Sequence, residues 1–169
     1  MGDTYVECMV AKKKNPFAAV IRTLVYALAA AGIISGLLLG SVIGFIAGAA
    51  FIAVAYFALP NLEIEYEYLY INKEMSIDKI MSKERRKNIL NLDLGKMVLM
   101  CPLNSHELDS YKARGLAIRD FTSREADIRP FVIVCHDDQK NEDMLISIEP
   151  NEEMLRAIKQ AFPRKVVEY

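Results

Sequence analysis

Five cations, Lys79, Lys83, Arg85, Arg86 and Lys87, fall within nine residues, and in the stretch KERRK only Glu84 interrupts them. Beside an anionic leaflet each such charge contributes about 1 kcal/mol of attraction, so the chemistry they suggest is contact with lipid headgroups. A solvated hairpin loop accounts for the same residues. A second pattern is Gly32, Gly36, Gly40, Gly44 and Gly48, one glycine every four residues. Small residues at that spacing let helix backbones approach closely in lipid, either between two spans of one chain or across the face of an oligomer.

The remaining reactive residue types form no site. Cys135 and His136 are adjacent on a strand-like run, so they face opposite ways and cannot hold one metal together. His106 stands beside Glu107 with no nucleophile signature near it. The loop HDDQKNED offers Asp137, Asp138, Glu142 and Asp143 but lacks the central glycine of a calcium-binding hand. There is no phosphate-cradling glycine loop, dinucleotide fingerprint or zincin motif. The sequence implies no catalytic residues, no metal and no cofactor, and a binding or structural role ranks above an enzyme.

The elements that carry these residues begin with a run from Thr23 to Leu62 that contains no Asp, Glu, Lys or Arg. Forty residues of helix would extend roughly 60 Å, twice the hydrocarbon thickness of a bilayer. Two spans fit instead, from near Phe17 to Leu39 and from near Val42 to Leu59, turning at Gly40 and Ser41 and stopped by Pro60 and Asn61. Tyr56 and Phe57 sit where an interfacial aromatic belt is expected. The run is too long for the apolar region of a secretory signal. The competing reading is a buried helical hairpin in a soluble protein.

Lys12, Lys13, Lys14 and Arg22 flank the first span, while the turn between spans carries no charge. The positive-inside bias then places both termini in the cytoplasm and the chain in the plasma membrane as a two-span protein. Cys8, Cys101 and Cys135 are an odd count with no disulfide framework, which suits a reducing compartment. Residues 63–169 carry 17 basic and 20 acidic side chains, and neither they nor residues 1–22 resemble a nucleic-acid binder. The expected division is a cytoplasmic N-terminal segment at 1–16, a transmembrane helical hairpin at 17–60, and a cytoplasmic β-rich domain at 61–169.

After Asn61 the period changes to two: LEIEYEYLYI sets Leu62, Ile64, Tyr66, Tyr68 and Tyr70 on one face and Glu63, Glu65 and Glu67 on the other. Further strand-like runs lie at 74–81, 87–92, 96–101, 116–121, 131–136 and 143–148. A short helix over Ser105–Arg114 is predicted with Asn104 as cap and Gly115 as its left-handed stop. Met154, Leu155, Ile158, Ala161 and Phe162 repeat at helical spacing between Asn151 and Pro163. The pattern predicts an α+β fold: a helical hairpin, then an antiparallel sheet or partly open barrel closed by a C-terminal amphipathic helix.

The apolar hairpin followed by YEYLYINKEMSIDKIMSKERRK, NSHELDSY and IEPNEEMLRAIKQAFPRKV resembles a family of small Gram-positive bacterial membrane proteins with two spans and a C-terminal domain. The soluble part resembles, more loosely, bacterial pleckstrin-homology-like domains, seven strands closed by a C-terminal helix. The resemblance implies a fold and membrane insertion but no particular activity. The function expected is a membrane-anchored cytoplasmic module that engages a protein, a peptide or an anionic lipid headgroup at the inner leaflet. The alternative is a structural subunit of a homo-oligomer assembled through the glycine-rich hairpin.

Overall fold

The computed structural model describes residues 5–13, 15–137 and 142–168. Lys14 and Asp138 lie outside them. The chain forms two compact units, one drawn from residues 1–13, 65–80 and 86–169, the other from 14–64 and 81–85.

The first unit is built of strands. β1 (Tyr5–Ala11), β2 (Ile64–Ile71), β3 (Glu74–Met81) and β4 (Arg85–Asp93) lie side by side in that order as one sheet. β5 (Met97–Pro102), β6 (Ile118–Asp120), β7 (Phe131–Asp137) and β8 (Glu142–Ile148) form a second sheet in the order β5-β7-β8-β6. The seven strand-like runs of the sequence are all strands. Two features differ from the simple antiparallel expectation. β6 pairs with β8 in parallel, and an eighth strand, β1, comes from the segment 1–16 that sequence patterning leaves outside the domain.

β1 has the alternation of a half-buried strand: Val6, Cys8 and Val10 are buried, and the residues between them are exposed. Its partner lies far along the chain. The antiparallel register sets Val6 against Tyr70, Cys8 against Tyr68 and Val10 against Tyr66, so one face packs small and β-branched side chains on three buried tyrosines. In sequence, residues 12–63 separate β1 from β2 where a turn would otherwise join them. The β2–β3 connection is the tight turn Asn72–Lys73, at φ 47° and 75°, and the β3–β4 connection is Ser82–Lys83, at φ 50° and 59°. Positive φ at both central residues matches the twist of paired strands.

A buried polar junction holds the core of this unit. The Tyr68 hydroxyl is fully buried and donates to the Phe121 carbonyl at 2.6 Å. The buried Glu149 carboxylate accepts from both the backbone N–H and the hydroxyl of Ser123, each at 2.9 Å. The Lys13 N–H donates to the Ser123 carbonyl at 2.8 Å, beyond the end of β1. Burial pushes the Tyr68 hydroxyl above its ordinary range, which keeps it a donor. α3 (Asp109–Ala113) follows a 3₁₀ turn at His106–Leu108. The cap there is Ser105, one residue later than expected, and Gly115 is the left-handed stop at φ 72°. α4 (Glu152–Ala161) is capped by Asn151, which accepts from the Met154 N–H at 2.8 Å, and it buries Met154 and Ile158 completely.

The second unit contains α1 (Ala18–Leu39) and α2 (Val42–Ala58), with Gly40 as the left-handed C-cap at φ 62° and Ser41 capping α2. α1, and α2 together with the 3₁₀ turn Leu59–Leu62 that continues it, are long and apolar enough to cross a membrane. Their outer faces are bare in the single chain: of α1 only Ala29 and Gly36 are buried, of α2 only Gly48 and Ala55. A hairpin in the core of a soluble protein would hide those faces instead.

Tyr68→Phe deletes the hydroxyl and strands a buried Phe121 carbonyl, so stability should fall by about 1–3 kcal/mol with little change in denaturant sensitivity. Urea unfolding checks this, and an unchanged midpoint would deny the junction its role.

Candidate functional site

The cations that are contiguous in sequence divide between the two units. Arg85 belongs to the helical unit, where its guanidinium lies 4.1 Å from the centre of the Tyr56 ring and donates to the Tyr56 carbonyl at 3.2 Å. Arg86 belongs to the β-rich unit, where it pairs with Glu67 and lies 3.6 Å from Asp78. Glu67 and Asp78 are both buried, and Asn88 adds a hydrogen bond to Asp78 at 2.7 Å. The Arg86 side chain is 54% exposed, so the two buried carboxylates hold its guanidinium from one side only. Lys83, at the left-handed turn position, and Lys87, on β4, are exposed, and Lys79 is half-buried on β3.

The glycine series divides as well. A Cβ at Gly44 would lie 2.8 Å from the Gly36 nitrogen and 3.0 Å from the Gly32 carbonyl oxygen. At Gly32 it would meet the Gly48 backbone at 2.6 Å, at Gly48 the Ile33 nitrogen at 2.9 Å, and at Gly36 the Phe45 ring at 2.8 Å. These four face the other helix of the same chain. Gly40 has nothing within 4 Å, and its need for glycine is the left-handed conformation.

A cavity of about 610 Å³ opens in the helical unit. Its charged lining is Arg22, Glu63, Glu84 and Arg85, and its apolar wall includes Tyr26 and Ile52. Arg22 and Glu63 are joined at 3.0 Å. They are the first charged residues at either end of the uncharged run, and folding α1 back on α2 brings them together. Their opposite signs at the two ends of the run were the available signal. The β3–β4 turn completes the wall: the Ser82 N–H donates to the Glu63 carbonyl at 2.9 Å.

The β-rich unit has a cavity of about 580 Å³ beside His106, Glu107, Arg129 and Pro130. His106 is fully exposed, and its Nδ1 lies 3.2 Å from Asp109. Cys8, Cys101 and Cys135 are buried and form no disulfide among the described residues. Burial pushes the Cys8 and Cys101 thiols up, away from the reactive thiolate. Cys135 directs its sulfur at the Asp93 carbonyl at 3.6 Å. His136 turns instead to Asp143 at 3.1 Å, and Arg114 reaches the same carboxylate at 2.7 Å. The hydrogen bond from His136, then that from Arg114, holds Asp143 below the usual carboxylate range.

The family described as bacterial PH-like domain (DUF6106) matches residues 2–168. No curated protein and no solved structure matches the chain.

Two predictions follow from these contacts. Gly44→Ala should lower the melting temperature of the detergent-solubilised chain more than Gly40→Ala, because the first pushes on backbone and the second costs only left-handed strain of roughly 1–2 kcal/mol. Equal shifts would refute the close approach at Gly44. A depressed carboxyl pKa adds stability above its unfolded value, and that stability disappears as pH falls through the folded value. Asp143→Asn should thus flatten the acid limb of the stability curve below about pH 4, read by unfolding across a pH series. An identical acid limb in the variant would refute it.

Proposed function

Because the chain belongs to the family of bacterial PH-like domains, we propose that it is a membrane-anchored binding module. In this reading α1 and α2 span the plasma membrane, both termini are cytoplasmic, and the β-rich unit engages a protein, peptide or lipid headgroup at the inner leaflet. PH-like domains point to binding rather than catalysis, and the buried thiols and the exposed His106 fit that.

The observation that carries the reading is the pairing of β1 with β2. The strand before the hairpin and the strand after it are neighbours in one sheet, so both lie on the same side of any membrane the hairpin enters. Two apolar helices between them supply the even number of crossings this requires. Lys12, Lys13 and Arg22 on one side, against an uncharged Gly40–Ser41 turn on the other, favour the cytoplasm for that side. Exposed Lys83 and Lys87 are the cations best placed for general attraction to anionic lipid. The four glycines that meet the opposite helix within the chain favour this reading over an oligomer assembled through the same glycines.

Alkaline phosphatase fused after Tyr169 should be inactive in cells, since the enzyme matures only outside the cytoplasm, while a green fluorescent fusion at the same site should be bright. Phosphatase activity there would overturn the two-span topology.

A further inference from the structure

The geometry points to the cavity at the base of the hairpin as a binding site for one aminophospholipid, its headgroup a phosphodiester carrying an ammonium. This rests on the membrane-anchored reading and goes further, because it names the ligand and the residues that select it.

Charge is the first argument. The cavity is lined by two guanidiniums, Arg22 and Arg85, and two carboxylates, Glu63 and Glu84. The sum is zero. A headgroup of net negative charge would satisfy the arginines and leave the carboxylates facing an anion. A zwitterion gives each sign a partner: phosphate oxygens to the arginines, ammonium to the glutamates.

The spare hydrogen-bonding capacity is the second. Arg22 meets Glu63 through one nitrogen and one oxygen, and Arg85 spends one N–H on the Tyr56 carbonyl. A guanidinium has five N–H donors, so each keeps most of its fork for phosphate. The Tyr56 ring under Arg85 fixes the plane of that fork.

Shape and position commit the site to a lipid rather than a soluble phosphate. The lining on α2 runs from Ile52 to the residues beyond Ala58, two helical turns or about 10 Å along the axis. Charged residues stand near the helix ends, and Tyr26 and Ile52 lie deeper along the helices, where both are exposed. A polar end continuous with an apolar wall on a membrane-spanning hairpin matches a headgroup joined to acyl chains. A free phosphomonoester would leave the apolar wall unused.

The test uses the full chain in detergent, offered equal amounts of phosphatidylethanolamine and phosphatidylglycerol with the same acyl chains, with retained lipid measured by native mass spectrometry. Wild type should retain the ethanolamine lipid in preference by about tenfold, the effect of one charge-assisted contact. Arg85→Gln should lower retention of both lipids by about the same factor, with Arg85→Lys intermediate because it keeps charge without the fork. The pair Glu63→Gln and Glu84→Gln together should shift preference to phosphatidylglycerol, and Arg156→Gln, at an exposed position on α4, should change nothing. Circular dichroism establishes that each variant is folded; should Arg85→Gln fail to fold, the lysine variant and the glutamate pair decide. Equal retention by wild type, or an unchanged preference in the glutamate pair, overturns the site. Displacement of the lipid by an equal concentration of free phosphoethanolamine overturns the lipid in favour of a soluble ligand. A cytoplasmic C-terminus without ethanolamine-lipid preference removes this site alone, whereas an external C-terminus removes the module reading.

Discussion

The pairing of Tyr5–Ala11 with Ile64–Ile71 is the constraint on which the rest of the structure depends. Ala11 stands opposite Glu65, so the chain must leave the sheet, build two helices and return to within a strand spacing of its departure. Closing a flexible loop of that length costs on the order of 3–4 kcal/mol of entropy. A helical hairpin with glycines at its crossing is a stiff loop whose ends are already together, so most of that cost is met when α1 packs on α2. Cys8 and Val10 then cover Tyr68 and Tyr66, and the Tyr68 hydroxyl and Glu149 lock the loop Phe121–Ser123 from inside.

This arrangement explains which parts of the fold were legible in the sequence. Tyr66, Tyr68 and Tyr70 alternate with glutamates next to the strand they pair with, so β2 and β3 announce themselves through local period and a two-residue turn. β1 has the same alternation in Val6, Cys8 and Val10, but its partner lies beyond the entire hairpin, and nothing local distinguishes it from a polar leader. β6 shows the complementary case. It is three residues long and parallel to β8, and a parallel pairing leaves no turn signature between its members. The helix cap falls on Ser105 rather than Asn104 because either side chain can cap, and only backbone geometry decides.

The candidate site was legible in composition but not in arrangement. A run of cations reads as a patch only when the residues share a surface, and on a strand successive side chains do not. Arg85 and Arg86 are neighbours in sequence with opposite fates, one stacked on Tyr56, the other set over Glu67 and Asp78. Glu67 reads as a solvated strand residue from its alternation with tyrosine, yet it is buried and paired with Arg86. The glycine period was informative about close approach, and it merges two causes, helix contact at four positions and backbone conformation at Gly40.

Sequence distance also hid the pair that closes the hairpin. Arg22 and Glu63 are separated by the entire uncharged run, and each alone reads as a residue that merely bounds it. Helix geometry makes them neighbours: when two helices of similar length fold back on one another, the residues that end the apolar run on each arrive at the same level along the hairpin. Opposite charges at that level neutralise each other across 3.0 Å. The same coincidence places the cavity: Arg22, Glu63 and a turn bearing Ser82 and Arg85 line it, at a level where no glycine brings the two helices together. A tight crossing at Gly32, Gly36, Gly44 and Gly48 and an open, charge-lined base are thus two consequences of one residue pattern, small side chains in the middle of the hairpin and large polar ones where it ends.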